Sequence, residues 1–517
     1  MNTINFYKEG GFNPSSLFYT DGYKIGHCLM LAPDVDFLYG QLIPRSFKHL
    51  PGINRCLSIG QQFTWIWIHD QFQIGFFSQP LQKALSFIKD MCLYLGMTYN
   101  GDHFIKLYEL GYLPSRVKSL PEGITIKNNI PLMTFKNTKK GFAWLTLFLE
   151  TICSSVNWQI PTVATKAMYF RKNINEGLLK TDPENMALGT FLGHDFAARG
   201  LDPYSMAASG IAWASCFHGS DELITIPAAR YYYNESEEEM SIFSVNASEH
   251  SVSCTNIFYF LKELKEGNLN HEIEKYYSFD LPCDGNLDNP DYLAIAEWLM
   301  LKRWLILFPE GILSYVSDTF NTWKAITHII ARSKEEILAR KGKLVVRGDS
   351  GDPADIVCGK FSITNYNSDK FWDLYSKRMN FEFVNNNIFY KFDGDHLSEL
   401  FSEYGEEVNY ITQTIEDLLK NNVISKLEKQ PNISEQKGII ELLWDIFGGD
   451  ITSTGYKRLH PCIGAIYGDG INFETQENIY SRLISKKFAT SNIVLGAGSF
   501  FQRYNTRDSL GLSYLNC

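Results

Sequence analysis

Leu344-Val345-Val346 running into Arg347-Gly348-Asp349-Ser350-Gly351 is the stretch on which the fold of this chain turns. A short β-branched run that stops abruptly at small and charged residues reads as a buried strand followed by a polar turn. The same signature recurs on both sides of it. Ile312 to Val316 runs into Ser317-Asp318-Thr319, Ile463 to Tyr467 into Gly468-Asp469-Gly470, and Ile493-Val494-Leu495 into Gly496-Ala497-Gly498-Ser499. Upstream, the apolar run Ile242 to Val245 leads to Ser248-Glu249-His250-Ser251. Asp221 and His250, Asp318 and Asp349, and Asp469 and Gly498 are each separated by about thirty residues, the length of one strand–helix unit.

Repeated βα units with polar residues just past the strands describe an α/β fold whose chemistry sits at the C-terminal strand ends. A parallel α/β barrel is expected rather than an open sheet, because six such loops occur and no dinucleotide fingerprint follows an early strand. Residues 1–160 read as a smaller, mainly β-rich N-terminal domain with helices, and 161–517 as the barrel domain. In the first part, Phe37-Leu38-Tyr39 reads as a strand, Leu81 to Leu95 as a helix, Leu120 to Asn129 as turns and Ala143 to Val156 as a buried helix. The polar segment 360–459, with amphipathic pieces at Ile411 to Leu427 and Gly438 to Phe447, interrupts the βα rhythm and is expected to be a peripheral insertion without chemistry.

Composition narrows the function classes. The 517 residues are 45% apolar and 21% charged, as in an ordinary globular protein. A net charge of −10 argues against binding nucleic acid by phosphate neutralisation, yet permits an anionic substrate held by local arginines and backbone N–H groups. Ten cysteines without a CxxC spacing support neither a zinc site nor a disulfide framework, and reduced thiols in the cytoplasm are expected. Met1 to Asn5 lacks a basic region leading into an apolar one, so no signal peptide is expected. The apolar stretch Ala294 to Val316 is broken by Lys302, Arg303 and Glu310 and does not suit a bilayer.

The polar strand ends together suit a phosphate–sugar ligand. Gly468-Asp469-Gly470 and Gly496-Ala497-Gly498-Ser499 offer exposed backbone N–H groups in consecutive units, with Arg503 and Arg507 beyond, which favours an anion site over two plain tight turns. Asp318, Asp349 and Asp469 are acceptors for ribose hydroxyls or a magnesium–diphosphate, although a strand-end aspartate often only caps the next helix. His250 opens a helical stretch beside Glu249. A lone histidine is more often structural, but imidazole can act as a nucleophile towards phosphoryl groups.

Taken in order, Thr20-Asp21-Gly22-Tyr23-Lys24, Pro121-Glu122-Gly123, Pro161-Thr162-Val163-Ala164-Thr165, His194-Asp195-Phe196 with Arg199-Gly200, Gly219-Ser220-Asp221, Ala247-Ser248-Glu249-His250-Ser251, Ser317-Asp318, Arg347-Gly348-Asp349-Ser350-Gly351, Gly468-Asp469-Gly470 and Thr506-Arg507-Asp508 resemble the nicotinamide phosphoribosyltransferase family. Glu441 to Gly449 is similar to its bacterial and phage branch. The resemblance implies a type II phosphoribosyltransferase-like barrel that transfers the phosphoribosyl group of phosphoribosyl pyrophosphate to nicotinamide. The products are nicotinamide mononucleotide and pyrophosphate, in NAD salvage. It implies magnesium bound through the diphosphate, with no protein metal ligand set, and ATP as a coupling substrate.

The resemblance further implies a homodimer with shared sites, and neither nucleic acid nor a membrane as partner. Phe196 and the partner copy's Tyr23 would sandwich the pyridine, and Asp221 would accept from the amide. Arg199 and Arg347 would line the base and sugar–phosphate region, Asp349 would face the ribose and Asp318 the diphosphate. Gly468, Asp469, Gly498, Ser499 and Arg507 would hold the 5′-phosphate and ribose, with Asp21 and Arg45 also at the site and His250 as the phosphorylated histidine. Family members continue past the position of Cys517, so a second chain supplying that segment is a further expected partner. A nicotinate phosphoribosyltransferase and an impaired homologue needing a complementing chain are the competing readings.

Overall fold

The computed structural model describes residues 14–96, 101–360, 362–363, 369–385, 388–405, 408, 414–427, 432–503, 505 and 507–516. Met1 to Asn5, Ile411 to Gln413 and Thr506, which entered the sequence reading, lie outside them. The chain divides into two compact units, one of Met1–Lys172, Gly193–Phe243 and Ala497–Cys517, the other of Asn173–Leu192 and Ser244–Gly496.

The first unit is built on an antiparallel sheet in the order Leu512–Asn516, Tyr39–Pro44, Met133–Asn137, Ser115–Ser119. The helix Ala143–Asn157 packs on it, burying Trp144, Leu145, Phe148, Leu149, Ile152 and Val156 at helical spacing. The expected helix at 81–95 is present as Leu81–Tyr94. The expected strand at Phe37 starts two residues later, at Tyr39. Leu120 to Asn129 holds the short strand Thr125–Ile126 among its turns. This unit also carries a parallel pair, Gly193–Phe196 with Gly219–Ser220, in which His194 lies opposite Gly219 and Asp195 opposite Ser220.

The second unit carries the βα repeat read from the sequence. Its strands Asn246–Ala247, Glu310–Val316, Lys341–Gly348, Ile463–Tyr467 and Ile493–Gly498 are all parallel, with Lys341–Gly348 at the centre. The α/β class with parallel βα units and a smaller β-rich part is therefore as expected. Two boundaries differ. The run Ile242 to Val245 precedes its strand, because the ladder forms where Asn246 and Ala247 meet Leu313 and Ser314. Gly496 to Gly498 belong to a strand rather than to the loop after it, since glycine needs no side-chain packing to complete a ladder.

The insertion is more organised than its polarity implied. Ser362–Ile363, Phe381–Asn385, Ile388–Phe392 and Ile424–Lys426 form a separate four-stranded sheet. Phe371, Phe381, Phe383, Tyr390, Phe392, Leu397 and Leu418 are buried together on it. The amphipathic piece before Leu427 is split into the helix Ile415–Lys420 and a strand, with Asn422 turning between them at φ 57°. The second piece is the helix Ile433–Phe447, broken at Gly438 (φ 77°), where a Cβ would come within 2.1 Å of the Gly359 nitrogen. Among the described residues no helix is long and apolar enough to cross a membrane.

Phe371 is fully buried against four other aromatic rings of this small core. Phe371→Ala is expected to cost about 3–5 kcal/mol of the insertion's stability. Hydrogen exchange should accelerate in Phe381–Asn385 and Ile388–Phe392 while Lys341–Gly348 keeps its protection; uniform acceleration would contradict a separate core.

Candidate active site

In the second unit the parallel register levels the strand ends. Val316 pairs with Arg347, and Gly348 with Tyr467, so Asp318, Asp349 and Asp469 all follow strands that finish along one rim. Asp318 is the hub. Its side chain is 6% exposed; Oδ1 accepts from His250 Nε2 at 3.0 Å, and Oδ2 accepts the Asp349 N–H at 3.2 Å and the Ser350 hydroxyl. A carboxylate can only accept, so His250 donates from Nε2, and Nδ1 lies outside this hydrogen bond. His250 is the first residue of the sixteen-residue helix His250–Lys265 and is half exposed.

Around this hub the charge balance is uneven. Burial above all, then Asp469, Asp318, Asp352 and Asp349, push the Tyr467 hydroxyl far above its ordinary range, which marks four acids near one ring. The Tyr467 hydroxyl donates to the Gly351 carbonyl at 2.8 Å. Arg347 Nε is buried and donates to nothing among the described residues. A buried cationic donor left open beside acids suits an anionic, hydroxyl-rich ligand. The described residues contain no group of three His, Cys, Asp or Glu placed to hold a metal ion.

The first unit holds a different constellation at the parallel pair. His194 Nε2 donates to Asp221 Oδ1 at 3.0 Å, and the His194 and Phe196 rings lie 4.6 Å apart with a 36° tilt. Here the histidine is buried and the carboxylate is 46% exposed, leaving Asp221 to face outward. Beneath them Asp195 and Glu222 are buried. Asp195 Oδ1 accepts the Ala197 N–H at 2.9 Å and the Gln502 amide at 2.6 Å. Burial, and the neighbouring Asp221 charge, raise the Asp195 carboxyl, against the lowering effect of those two hydrogen bonds. Burial first and Asp195 second push Glu222 up to about 9.

Gly498 ends its strand and Ser499 begins the short helix Ser499–Arg503 with no loop between. Gly200 lies so close that a Cβ there would fall 2.3 Å from Ser499 Oγ, which brings the segment carrying exposed Arg199 against Ser499. Lys166, buried in the helix Gln159–Thr181, donates from Nζ to the Phe501 carbonyl, and burial pushes it down to about 8. Pro44 pairs with Leu512, so Arg45 and the turn Arg507–Ser509 share one end of the antiparallel sheet. Arg45 Nε donates to the Gly511 carbonyl at 3.1 Å, and Arg507 lies 3.8 Å from Asp508. Asp21 accepts the Thr151 hydroxyl at 2.5 Å, and Tyr23 is 63% exposed, edge-on to His27 at 5.2 Å.

Of the sequence-predicted residues, the structure groups His250, Asp318, Asp349, Arg347, Gly468 and Asp469 around the second unit's strand ends. In the first unit it groups Phe196 and Asp221, then Arg199, Gly498 and Ser499, and separately Arg45 with Arg507. Sequence reasoning assigned no role to His194, Asp195, Glu222, Gln502, Lys166 or Ser350. His194 and Asp195 lay inside a quoted motif, and Lys166 directly follows another, Pro161 to Thr165. Nothing local marks Gln502, which acts 307 residues away.

Asp318→Ala is expected to cost about 1.5–3 kcal/mol, the worth of hydrogen bonds to a buried charged acceptor. Urea denaturation and the exchange rate of the Asp349 amide would measure it; an unchanged amide rate would contradict the hub.

Residues 422–516 match the model of the nicotinate phosphoribosyltransferase (NAPRTase) family. The chain is 29% identical to the nicotinamide phosphoribosyltransferase of Acinetobacter baylyi, over 95% of this chain and 80% of that protein. It is 24% identical to the nicotinamide phosphoribosyltransferase of Mycoplasma pneumoniae, over 96% of this chain and 87% of that one. A crystal structure of human nicotinic acid phosphoribosyltransferase aligns with a TM-score of 0.47 at 12% identity, covering 96% of this chain and 73% of that chain.

Proposed function

We propose that this chain, a member of the nicotinamide phosphoribosyltransferase family, transfers the phosphoribosyl group of phosphoribosyl pyrophosphate to nicotinamide, releasing pyrophosphate in NAD salvage. The observation that carries the amide substrate is the outward-facing Asp221, held by His194 beside the Phe196 ring. A half-exposed carboxylate oriented by His194 suits an amide N–H, an interaction worth about 1.5–3 kcal/mol, and repels the negative charge of nicotinate. Stacking on Phe196 adds about 0.5–1.5 kcal/mol beyond buried area and aims the ring nitrogen.

In the reaction the pyridine nitrogen bonds to C1 of the ribose as the C1–oxygen bond breaks, and the bonding pair leaves with pyrophosphate. The charge that develops on the ribose is stabilised by Asp349 and Asp469, which also accept from its hydroxyls. Arg347, with its open Nε, and Arg199 serve the sugar–phosphate region. Gly468, Gly498, Ser499 and Arg507 serve the 5′-phosphate. Magnesium enters as part of the diphosphate substrate, where it neutralises the leaving group. Asp318 already accepts from His250, Asp349 and Ser350, so both of its oxygens are engaged before a diphosphate arrives.

ATP coupling fits the geometry of His250: Nε2 is committed to Asp318, so Nδ1 is the atom that would take a phosphoryl group. A homodimer would give exposed Tyr23, with Asp21 and Arg45, a second subunit's site to reach. The described cysteines are all free thiols, in keeping with a cytoplasmic protein.

Labelled nicotinamide, phosphoribosyl pyrophosphate and magnesium should yield labelled mononucleotide, with nicotinamide preferred over nicotinate. Asp221→Asn should lower kcat/KM for nicotinamide by about tenfold or more, through the lost charged hydrogen bond, and narrow the preference. A wild type that prefers nicotinate in the steady state would overturn the substrate.

A further inference from the structure

Asp195 and Glu222 each sit next in sequence to a residue assigned to the pyridine, Phe196 and Asp221. They are 0% and 1% exposed. Asp195 Oδ2 and both carboxyl oxygens of Glu222 meet no hydrogen-bond donor among the described residues. Among the described residues no cation acts on either carboxyl. His194 is engaged at Asp221, and Asp221 is itself an acid. The helix Pro203–Ala214 presents Gly210, where a Cβ would lie 3.1 Å from Glu222 Oε2 and 1.8 Å from Thr225 Oγ1. The helix Ser499–Arg503 presents the uncharged Gln502. Thr225 Oγ1 is likewise buried and unpartnered.

Two bare carboxylates buried together cost far more than one, and the cheapest relief is a retained proton. That proton also converts one acceptor into the donor the cluster lacks. We propose that Glu222 is kept as the neutral acid and shares its proton with Asp195 Oδ2, forming an acid–carboxylate clasp that positions Phe196 and Asp221. The clasp lies at a short parallel pair with two residue matches, His194 with Gly219 and Asp195 with Ser220, extended by the Asp221 N–H on the Asp195 carbonyl at 3.0 Å. The positioning half rests on the function proposed above; the protonation half does not.

Glu222→Gln keeps the shape and supplies a donor that does not titrate. Native Glu222 holds a proton that the unfolded chain loses above the ordinary carboxyl range. Its contribution to stability is therefore fully present below about 4.5 and is lost as pH rises towards about 9. Wild-type thermal unfolding, followed in a buffer whose only cation is tetramethylammonium, should lose up to about tenfold in folding constant per pH unit across that window relative to Glu222→Gln. Burial raises the Glu297 carboxyl to about 7 as well, so the infrared difference spectrum of wild type minus Glu222→Gln at neutral pH should show the carbonyl band of one additional protonated carboxylic acid.

In turnover, the wild-type KM for nicotinamide should rise at alkaline pH while that of Glu222→Gln stays flat. Glu222→Leu, which cannot donate, should raise KM by about tenfold at every pH. Parallel pH profiles of wild type and Glu222→Gln, or no acid band in their difference spectrum, would overturn the clasp. So would stabilisation of the wild type by potassium that Glu222→Gln loses, which would put a cation where the proton is proposed. If the wild type turns over no nicotinamide, the substrate reading and the positioning half fall together, while unfolding and infrared still decide the proton.

Discussion

Backbone hydrogen bonding between parallel strands in matched register is the constraint from which the second unit's chemistry follows. Matching Val316 to Arg347 and Gly348 to Tyr467 leaves the strands no freedom to end at different heights. Residues that come just after each strand, more than 150 apart in sequence at the extremes of Asp318 and Asp469, must therefore share a rim. The apolar strand interiors, Leu313, Tyr315, Leu344, Val346, Ile463 and Ala465, are buried and hold that register, because a slip by one residue would turn each to the opposite face of the sheet. Polar chemistry is confined to the rim because only there do side chains escape the packed helices.

Two histidine–aspartate pairs, each at 3.0 Å through Nε2, use the same hydrogen bond for opposite ends. At Asp221 the histidine is the buried partner and the carboxylate faces out; at His250 the carboxylate is buried and the imidazole faces out. In each pair the buried member orients the exposed one. An outward carboxylate is suited to reading an amide, and an outward imidazole with a free Nδ1 to accepting a phosphoryl group. Exposure thus distinguishes the roles where residue type does not.

The inserted sheet shows how a polar average conceals a core. One charged residue, Glu382, is buried on a strand, and aromatics such as Phe371, Phe381, Phe383 and Phe392 stand among the residues buried together. Aromatic rings bury enough area each that few are needed, so a segment rich in Asn, Glu and Lys can still fold about a centre of its own. Its helix Ile433–Phe447 breaks at Gly438 to let two backbones approach, which only a glycine on either side allows.

The sequence alone determined the elements that depend on local pattern. The β-branched runs ending in Asp318, Asp349 and Asp469, the apolar helix at 143–157 and the acids and arginines of the site were legible because strand period, helix period and motif spacing are short-range. Boundaries set by pairing, such as Tyr39, Asn246 and Gly498, were not, since a ladder begins where a distant partner stands. Tertiary structure alone decided which oxygen of Asp318 holds His250, that Gln502 reaches Asp195, and that Glu222 is buried beside it. Those facts depend on burial and on contacts across hundreds of residues, and a buried carboxyl group is indistinguishable from an exposed one until its solvent has been taken away.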